Sequence, residues 1–244
     1  MLTLVKQKKL SGFSLIEMAI VLVIIGFTIG ALIVPLGAQR EVIKIKQARE
    51  ELKVIEQAIM GFAIANGRIP CPAIPGTGVE DPVGGGVCTN ARGFIPVVTL
   101  GISGHFNCEN LLLDPWGNPY RYSVTIANGS SFTTNVTVVP PPLNAINVCD
   151  GSPCPPATEL TTEAVAVVYS MGKNWATMAS ADEIENGEGT IAGTGCGPAN
   201  YNISNDDIYV HRESVEIAGS EYDDIVLWIS PNILYAKLLE AGVL

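Results

Sequence analysis

Histidine is nearly absent from this chain, with two in 244 residues, and charge is scarce at 16%. So few histidines, with no Cys-x-x-Cys pair among the six cysteines, leave a zinc site poorly supported. There is no basic excess either: 14 Lys+Arg face 24 Asp+Glu, a formal net charge of -10. Nucleic-acid binders normally show a basic patch or stripe, so that class is disfavoured. The chain also lacks the glycine period of a collagen, the low hydrophobicity of a disordered protein and the composition of a long coiled coil. At 48% hydrophobic residues it is long enough to bury a sizeable core, as one medium domain or two small ones.

What charge there is falls into three zones. Residues 1–12 hold Lys6, Lys8 and Lys9 and no acid. Residues 13–66 balance Arg40, Lys44, Lys46, Arg49 and Lys53 against Glu17, Glu41, Glu50, Glu51 and Glu56. Residues 67–244 carry six basic and nineteen acidic side chains, a net -13. A basic leader thus precedes a neutral stem and an acidic head.

From Met18 to Gln39 there is no charge at all. A run of that length spans a bilayer core as a helix of about 20 residues. An ordinary secretory signal has a shorter apolar region followed by a small-x-small cleavage site. An acid at the edge of such a run needs a reason, because at a helix centre it costs about 2.5–3.5 kcal/mol. Glu17 is that acid.

The stretch Gly12-Phe13-Ser14-Leu15-Ile16-Glu17 and the apolar run after it resemble the type IV prepilin leader of the pilin and type II secretion pseudopilin family. That resemblance implies cleavage between Gly12 and Phe13 by prepilin peptidase on the cytoplasmic side, and N-methylation of Phe13. It implies that Glu17 pairs with the new terminal amine of a neighbouring subunit, which is how a buried carboxylate is tolerated. It also implies as partners other pilin or pseudopilin subunits and an inner-membrane assembly platform. The bare positive-inside count runs the other way, since Arg40, Lys44, Lys46 and Arg49 outnumber the three leader lysines. The processing motif and the cysteine-bearing head outweigh that count.

Beyond the apolar run the period changes. Val42, Ile45, Leu52, Ile55, Ile59 and Phe62 recur at helical spacing with charges between them, an amphipathic helix laying one stripe on something. One helix is expected over residues 13–65, with 13–38 as anchor and 39–65 amphipathic, about 80 Å long if straight. Pro35 should kink or loosen it, and Asn66-Gly67 should end it.

The head, 66–244, changes texture to short β-like runs between Gly, Pro and Asn. Residues 70–93 read as a loop. Strands are expected at 94–100, 119–126, 132–139, 164–171 and 224–230, and a last helix at about 231–241 behind Ser230-Pro231. Without βαβ alternation, the fold class is α+β: a long N-terminal helix packed on an antiparallel sheet. All six cysteines (71, 88, 108, 149, 154 and 196) lie in the head. An exported domain would pair them; 15 connectivities exist, with the short Cys149–Cys154 loop favoured.

Asp114-Pro115-Trp116-Gly117-Asn118-Pro119-Tyr120 is chemically a turn. It is similar to a segment of type II secretion pseudopilins that leads into their first sheet strand, with Trp116 packing over the turn. Tyr222-Asp223-Asp224-Ile225-Val226-Leu227-Trp228 resembles the end of a calcium-holding loop in major pseudopilins. Calcium takes 6–8 oxygen ligands, and Asp182, Glu183, Glu185, Glu188, Asp206, Asp207, Asp223 and Asp224 are the acids on offer. The spacing departs from that family, with about fifty residues between Gly172 and Asp223, and a solvated acidic face is the preferred reading.

Enzyme signals are thin. His105 and His211 are isolated, Ser170-x-x-Lys173 lacks companion motifs, and Gly84-Gly85-Gly86 follows no strand. The expectation is a non-enzymatic structural subunit of a type II secretion pseudopilus. The alternatives are a minor pilin of a type IV pilus and a membrane-tethered periplasmic binding or enzymatic domain.

Overall fold

The computed structural model describes residues 12–136, 145–217 and 219–244, without the side chains of 31–38. The chain divides into two compact units, Met1–Ile43 and Lys44–Leu244. Helix α1, Leu15–Asn66, supplies the described helical part of the first unit and continues into the second. It runs on through Pro35 and ends one residue past the expected 65, where the Gly67 N–H donates to Ala63 O at 2.8 Å.

In the second unit α1 buries Ala48, Leu52, Ile55, Ile59, Met60 and Ala63. These positions advance by three or four, so they form one stripe on one face. The expected stripe is right at Leu52, Ile55 and Ile59, while Ile45 and Phe62 are only partly covered. Val42 is 65% exposed and belongs to the other unit, so it is not part of this stripe.

The stripe lies on a four-stranded sheet made of β1 (Arg92–Phe94), β2 (Arg121–Val124), β5 (Ala166–Ser170) and β9 (Ile225–Ile229), in the order β1-β2-β5-β9. Every pairing in it is antiparallel, as expected. Ala166 and Val168 join α1, Ile229 and the terminal helix α5 (Pro231–Glu240) in one core. Val167 and Tyr169 point the other way, into a second core with Ile146, Val148, Ala164, Met171 and Tyr209. A strand covered on both faces reads as an unbroken apolar run, and that is why 164–171 is so legible.

The second core is closed by a three-stranded sheet of β3 (Ile146–Cys149), β4 (Glu159–Ala164) and β8 (Ile208–Val210), in the order β4-β3-β8. Here β3 and β8 run parallel, an exception to the antiparallel expectation. Helix α4 (Ala181–Gly187) and a hairpin of β6 (Gly189–Ala192) and β7 (Asn200–Ile203) fill the long connection between β5 and β8. The architecture is α+β, a helix on antiparallel sheet.

Two strand expectations fail. At 94–100 only Phe94 is strand; Val97–Leu100 form a short helix, α2. Pro96 cannot donate to a ladder, and Gly101, at φ 66°, turns the chain so that its N–H reaches Val97 O and Val98 O. At 132–139, residues up to Thr134 belong to α3 (Ala127–Thr134), which contains a left-handed turn at Asn128, Gly129 and Ser130. The backbone there bonds elsewhere, with Ile69 N donating to Phe132 O and Val136 N to Gly67 O. Residues 137–139 of that expected strand lie outside the described residues.

Candidate functional site

The N-terminal segment comes first in the chain. Gly12, Phe13 and Ser14 are exposed and non-helical, and α1 starts at Leu15. The Ser14 N–H donates to Glu17 Oε2 at 2.8 Å, and Ile16 N donates to Ser14 Oγ at 3.4 Å. These side chains satisfy two of the orphan amides of the helix start, in a variant of the capping box with Ser14 Oγ on the Ile16 amide. Ser-x-x-Glu is legible in sequence, so this local role could have been read there. The apolar side chains that follow are uncovered: Phe13 is 85% exposed and Leu15 92%. Residues 1–11 of the expected leader lie outside the described residues, as do the side chains of 31–38 within the expected anchor. Among the described residues, no helix is long and apolar enough to cross a membrane.

The Asp114–Tyr120 turn is a bolt between elements of the second unit. Asp114 Oδ1 accepts from Trp116 N at 3.0 Å and from Asn118 N at 2.8 Å. Its Oδ2 accepts from Ser170 Oγ at the end of β5 at 2.5 Å. Burial pushes the Asp114 carboxyl up, against those three hydrogen bonds. Asn118 Nδ2 donates to Gly172 O at 2.6 Å, and the Tyr120 hydroxyl donates to Glu51 of α1 at 2.7 Å. Trp116 packs on the main core, with the Lys44 ammonium 5.9 Å from its ring centroid. The motif thus ties α1 to two strands of the sheet. Its partners Glu51 and Ser170 carry no signal of this in sequence.

The acids proposed for calcium are mostly engaged within the fold. Asp182 pairs with Arg212 at 2.6 Å, and Asp207 with Arg92 at 2.5 Å. Glu183 accepts from Asn174 Nδ2 and Ala179 N, both at 2.9 Å. Asp224 is buried, accepts from Asn186 Nδ2 at 2.7 Å, and is pushed up by that burial. Asp223 accepts from Lys173 N at 3.0 Å through Oδ2, while its buried Oδ1 has no hydrogen-bond partner. Desolvation pushes the Asp223 carboxyl up to about 6. Glu185, Glu188 and Asp206 bring carboxylate oxygens within 4.8 Å of one another. Partial desolvation, then the charges of Asp206 and Glu185, push Glu188 up. Three carboxylates at that spacing are an oxygen set a hard cation could use.

The six cysteines form three disulfides, Cys71–Cys88, Cys108–Cys196 and Cys149–Cys154. The favoured short pair is among them. The residues weighed for chemistry are dispersed. Ser170 Oγ is committed to Asp114, and Lys173 Nζ pairs with Glu216 at 2.9 Å. His211 packs edge-on against Trp228 with centroids 5.3 Å apart, and His105 lies in the loop before Leu112. The Gly84–Gly86 loop folds over Arg68; a Cβ at Gly85 would collide with its guanidinium.

The prokaryotic N-terminal methylation motif matches this chain over residues 7–33. No curated protein and no solved structure matches it significantly. The motif spans the stretch holding Gly12, Phe13 and Glu17, and the α+β head lies behind it on the same helix. Those two observations support the type IV pilin-like family of pilins and pseudopilins.

Proposed function

We propose that this chain is a structural subunit of a type II secretion pseudopilus. Prepilin peptidase cuts between Gly12 and Phe13 on the cytoplasmic side, and Phe13 is then N-methylated. Residues 13–38 hold the mature subunit in the inner membrane, with its head in the periplasm. An assembly platform stacks it with other pilin-like subunits through the N-terminal helix, where Glu17 neutralises a neighbour's terminal amine. The observation that carries this reading is the methylation motif at 7–33, with a lone acid at the edge of an uncovered apolar helix. Three disulfides suit an oxidising compartment outside the cytoplasm. The Asp114–Tyr120 turn favours the secretion system over a pilus.

A second reading is a minor pilin of a type IV pilus. It is favoured by the long connection between β5 and β8, which carries α4 and the β6–β7 hairpin and is more than a minimal stacking subunit needs. In either system the subunit is structural and non-enzymatic, and its head needs no metal, since most of the acids weighed for calcium are engaged within the fold.

The test is mass spectrometry of the mature N-terminus together with a Glu17→Ala variant. A chain beginning at methylated Phe13 is expected, and Glu17→Ala should insert normally yet fail to enter filaments. An intact Met1, or normal incorporation without Glu17, refutes the reading.

A further inference from the structure

The Cys108–Cys196 bond joins segments 88 residues apart. Both of its cysteines are exposed, whereas Cys71 and Cys149 of the other two bonds are buried. Next to Cys108 in the chain, Glu109 is fully buried. Its carboxylate is held by residues 193–199, the loop that joins β6 to β7. Oε1 accepts from Thr194 N at 2.5 Å and from Thr194 Oγ1 at 2.8 Å. Oε2 lies toward Gly197, where a Cβ would stand 3.5 Å away. The loop therefore meets the carboxylate on both sides of Cys196. Gly193 N donates to Ala199 O at 3.0 Å and closes the loop on itself. From the other segment, Asn107 Oδ1 accepts from Glu109 N at 2.9 Å and from Leu111 N at 3.0 Å. Asn107 Nδ2 donates to the Tyr201 hydroxyl at 3.0 Å, and Phe94, Leu111, Tyr201 and Ile203 share one small core. Burial pushes the Glu109 carboxyl up, but its hydrogen bonding outweighs this and leaves it below its ordinary value. A buried anion is thus gripped by the very loop that carries its neighbour's covalent partner.

We propose that Glu109 is the positioning residue for the Cys108–Cys196 bond: its carboxylate gathers the 193–199 loop onto the 107–111 turn, so that the two thiols stand together before oxidation. None of these contacts needs the sulfur–sulfur bond. The β6–β7 hairpin stays docked when the exposed bond is reduced, and the same bond then re-forms. With oxidised glutathione as oxidant, one cysteine thiolate attacks a reagent sulfur and expels a first thiol. The second cysteine attacks the mixed disulfide and expels the other. The two cysteines give up two electrons and two protons, and the reagent leaves as two thiols. Glu109 enters neither displacement; it raises the effective concentration of one thiol at the other. The inference concerns the head alone and does not rest on the function proposed above.

The test equilibrates the full-length protein, in detergent micelles, with glutathione redox buffers. Differential alkylation and mass spectrometry read each cysteine. Glu109→Ala should lower the effective concentration at Cys108–Cys196 by about tenfold or more, the factor carried by one hydrogen bond to a charged acceptor. Cys71–Cys88 should keep its parent midpoint. Glu109→Gln retains an acceptor for Thr194 and should recover part of the loss. An unchanged Cys108–Cys196 midpoint overturns the proposal. So does an equal fall at all three bonds, which marks general destabilisation. A second measurement does not depend on the alanine variant folding. In the double variant Cys108→Ser, Cys196→Ser, the Thr194 amide should stay protected from hydrogen exchange; exchange as fast as in an unstructured chain overturns the proposal.

Discussion

Asp114→Ala should be among the most destabilising single changes in the head. The side chain is 5% exposed and supplies three acceptor bonds, to Trp116 N, Asn118 N and Ser170 Oγ. Alanine leaves two backbone donors and a hydroxyl without their partner. Hydrogen bonds to an ionised acceptor are worth about 1.5–3 kcal/mol each. They are not additive, and removing the carboxylate also relieves its own burial, which pushes its pKa up. The net expectation is about 3–5 kcal/mol, with each kcal/mol lowering Tm by about 2–4 °C in a domain of this size. The turn's own backbone bonds, Asp114 N to Asn118 O and Gly117 N to Asp114 O, do not depend on the side chain. The loss therefore falls on two side-chain contacts within the turn and on its attachment to β5. Asp114→Asn keeps one acceptor and lets the Ser170 hydroxyl accept in turn, so it should cost only about 1 kcal/mol. The assay is urea and thermal unfolding of the compact unit 44–244 with its disulfides intact. An alanine variant within about 1 kcal/mol of the parent would show that the turn is not a bolt.

Asp223 gives a pH prediction. Its folded carboxyl is pushed up to about 6, so the native state binds more protons than the unfolded chain between its ordinary 3.8 and about 6. Stability from this group therefore falls as pH rises through that window. Asp223→Asn should raise Tm at pH 7 and converge with the parent near pH 4; a pH-independent difference refutes the assignment. Removing Cys108–Cys196, 88 residues apart, should cost about 4–5 kcal/mol on chain-entropy grounds, against about 2 for Cys149–Cys154, five apart. Paired Cys→Ser variants in denaturant titrations test that order, and equal losses would contradict it. Chelator should leave the melting of the unit 44–244 unchanged within about 1 °C, a shift smaller than 1 kcal/mol. A calcium-dependent rise would instead assign a metal to Glu185, Glu188 and Asp206.

The parts of this molecule legible in sequence share a physical property: their signal is local. Gly12, Phe13 and Glu17 stand at fixed spacing in an apolar run, and the methylation motif matches there. The amphipathic stripe at Leu52, Ile55 and Ile59 repeats at the helical period. The strands at 166–170 and 225–229 are apolar runs, and Pro231 opens α5 at the expected place.

Where neighbours distant in sequence decide the outcome, local patterning misleads. Arg121 sits in a strand read as ordinary, yet it is fully buried, donating through Nε to Asn202 O at 2.9 Å and through Nη1 to Pro119 O. Phe132 has a strand-like context but ends in a helix, because Tyr235 stacks on it at 6.1 Å and the 67–69 segment takes its backbone bonds. The acidic residues read as a solvated face, but Arg92 and Arg212, far apart in the chain, pair with two of them.

Taken alone, the order of amino acids determined the helix-led character of this protein and its methylation motif, since that motif and a hydrophobic period are each written within a few turns of chain. Only the tertiary structure decided which acids are paired, which cysteines meet and which β-prone segments become strands. Those outcomes turn on burial and on partners tens of residues away, and no local window holds that information.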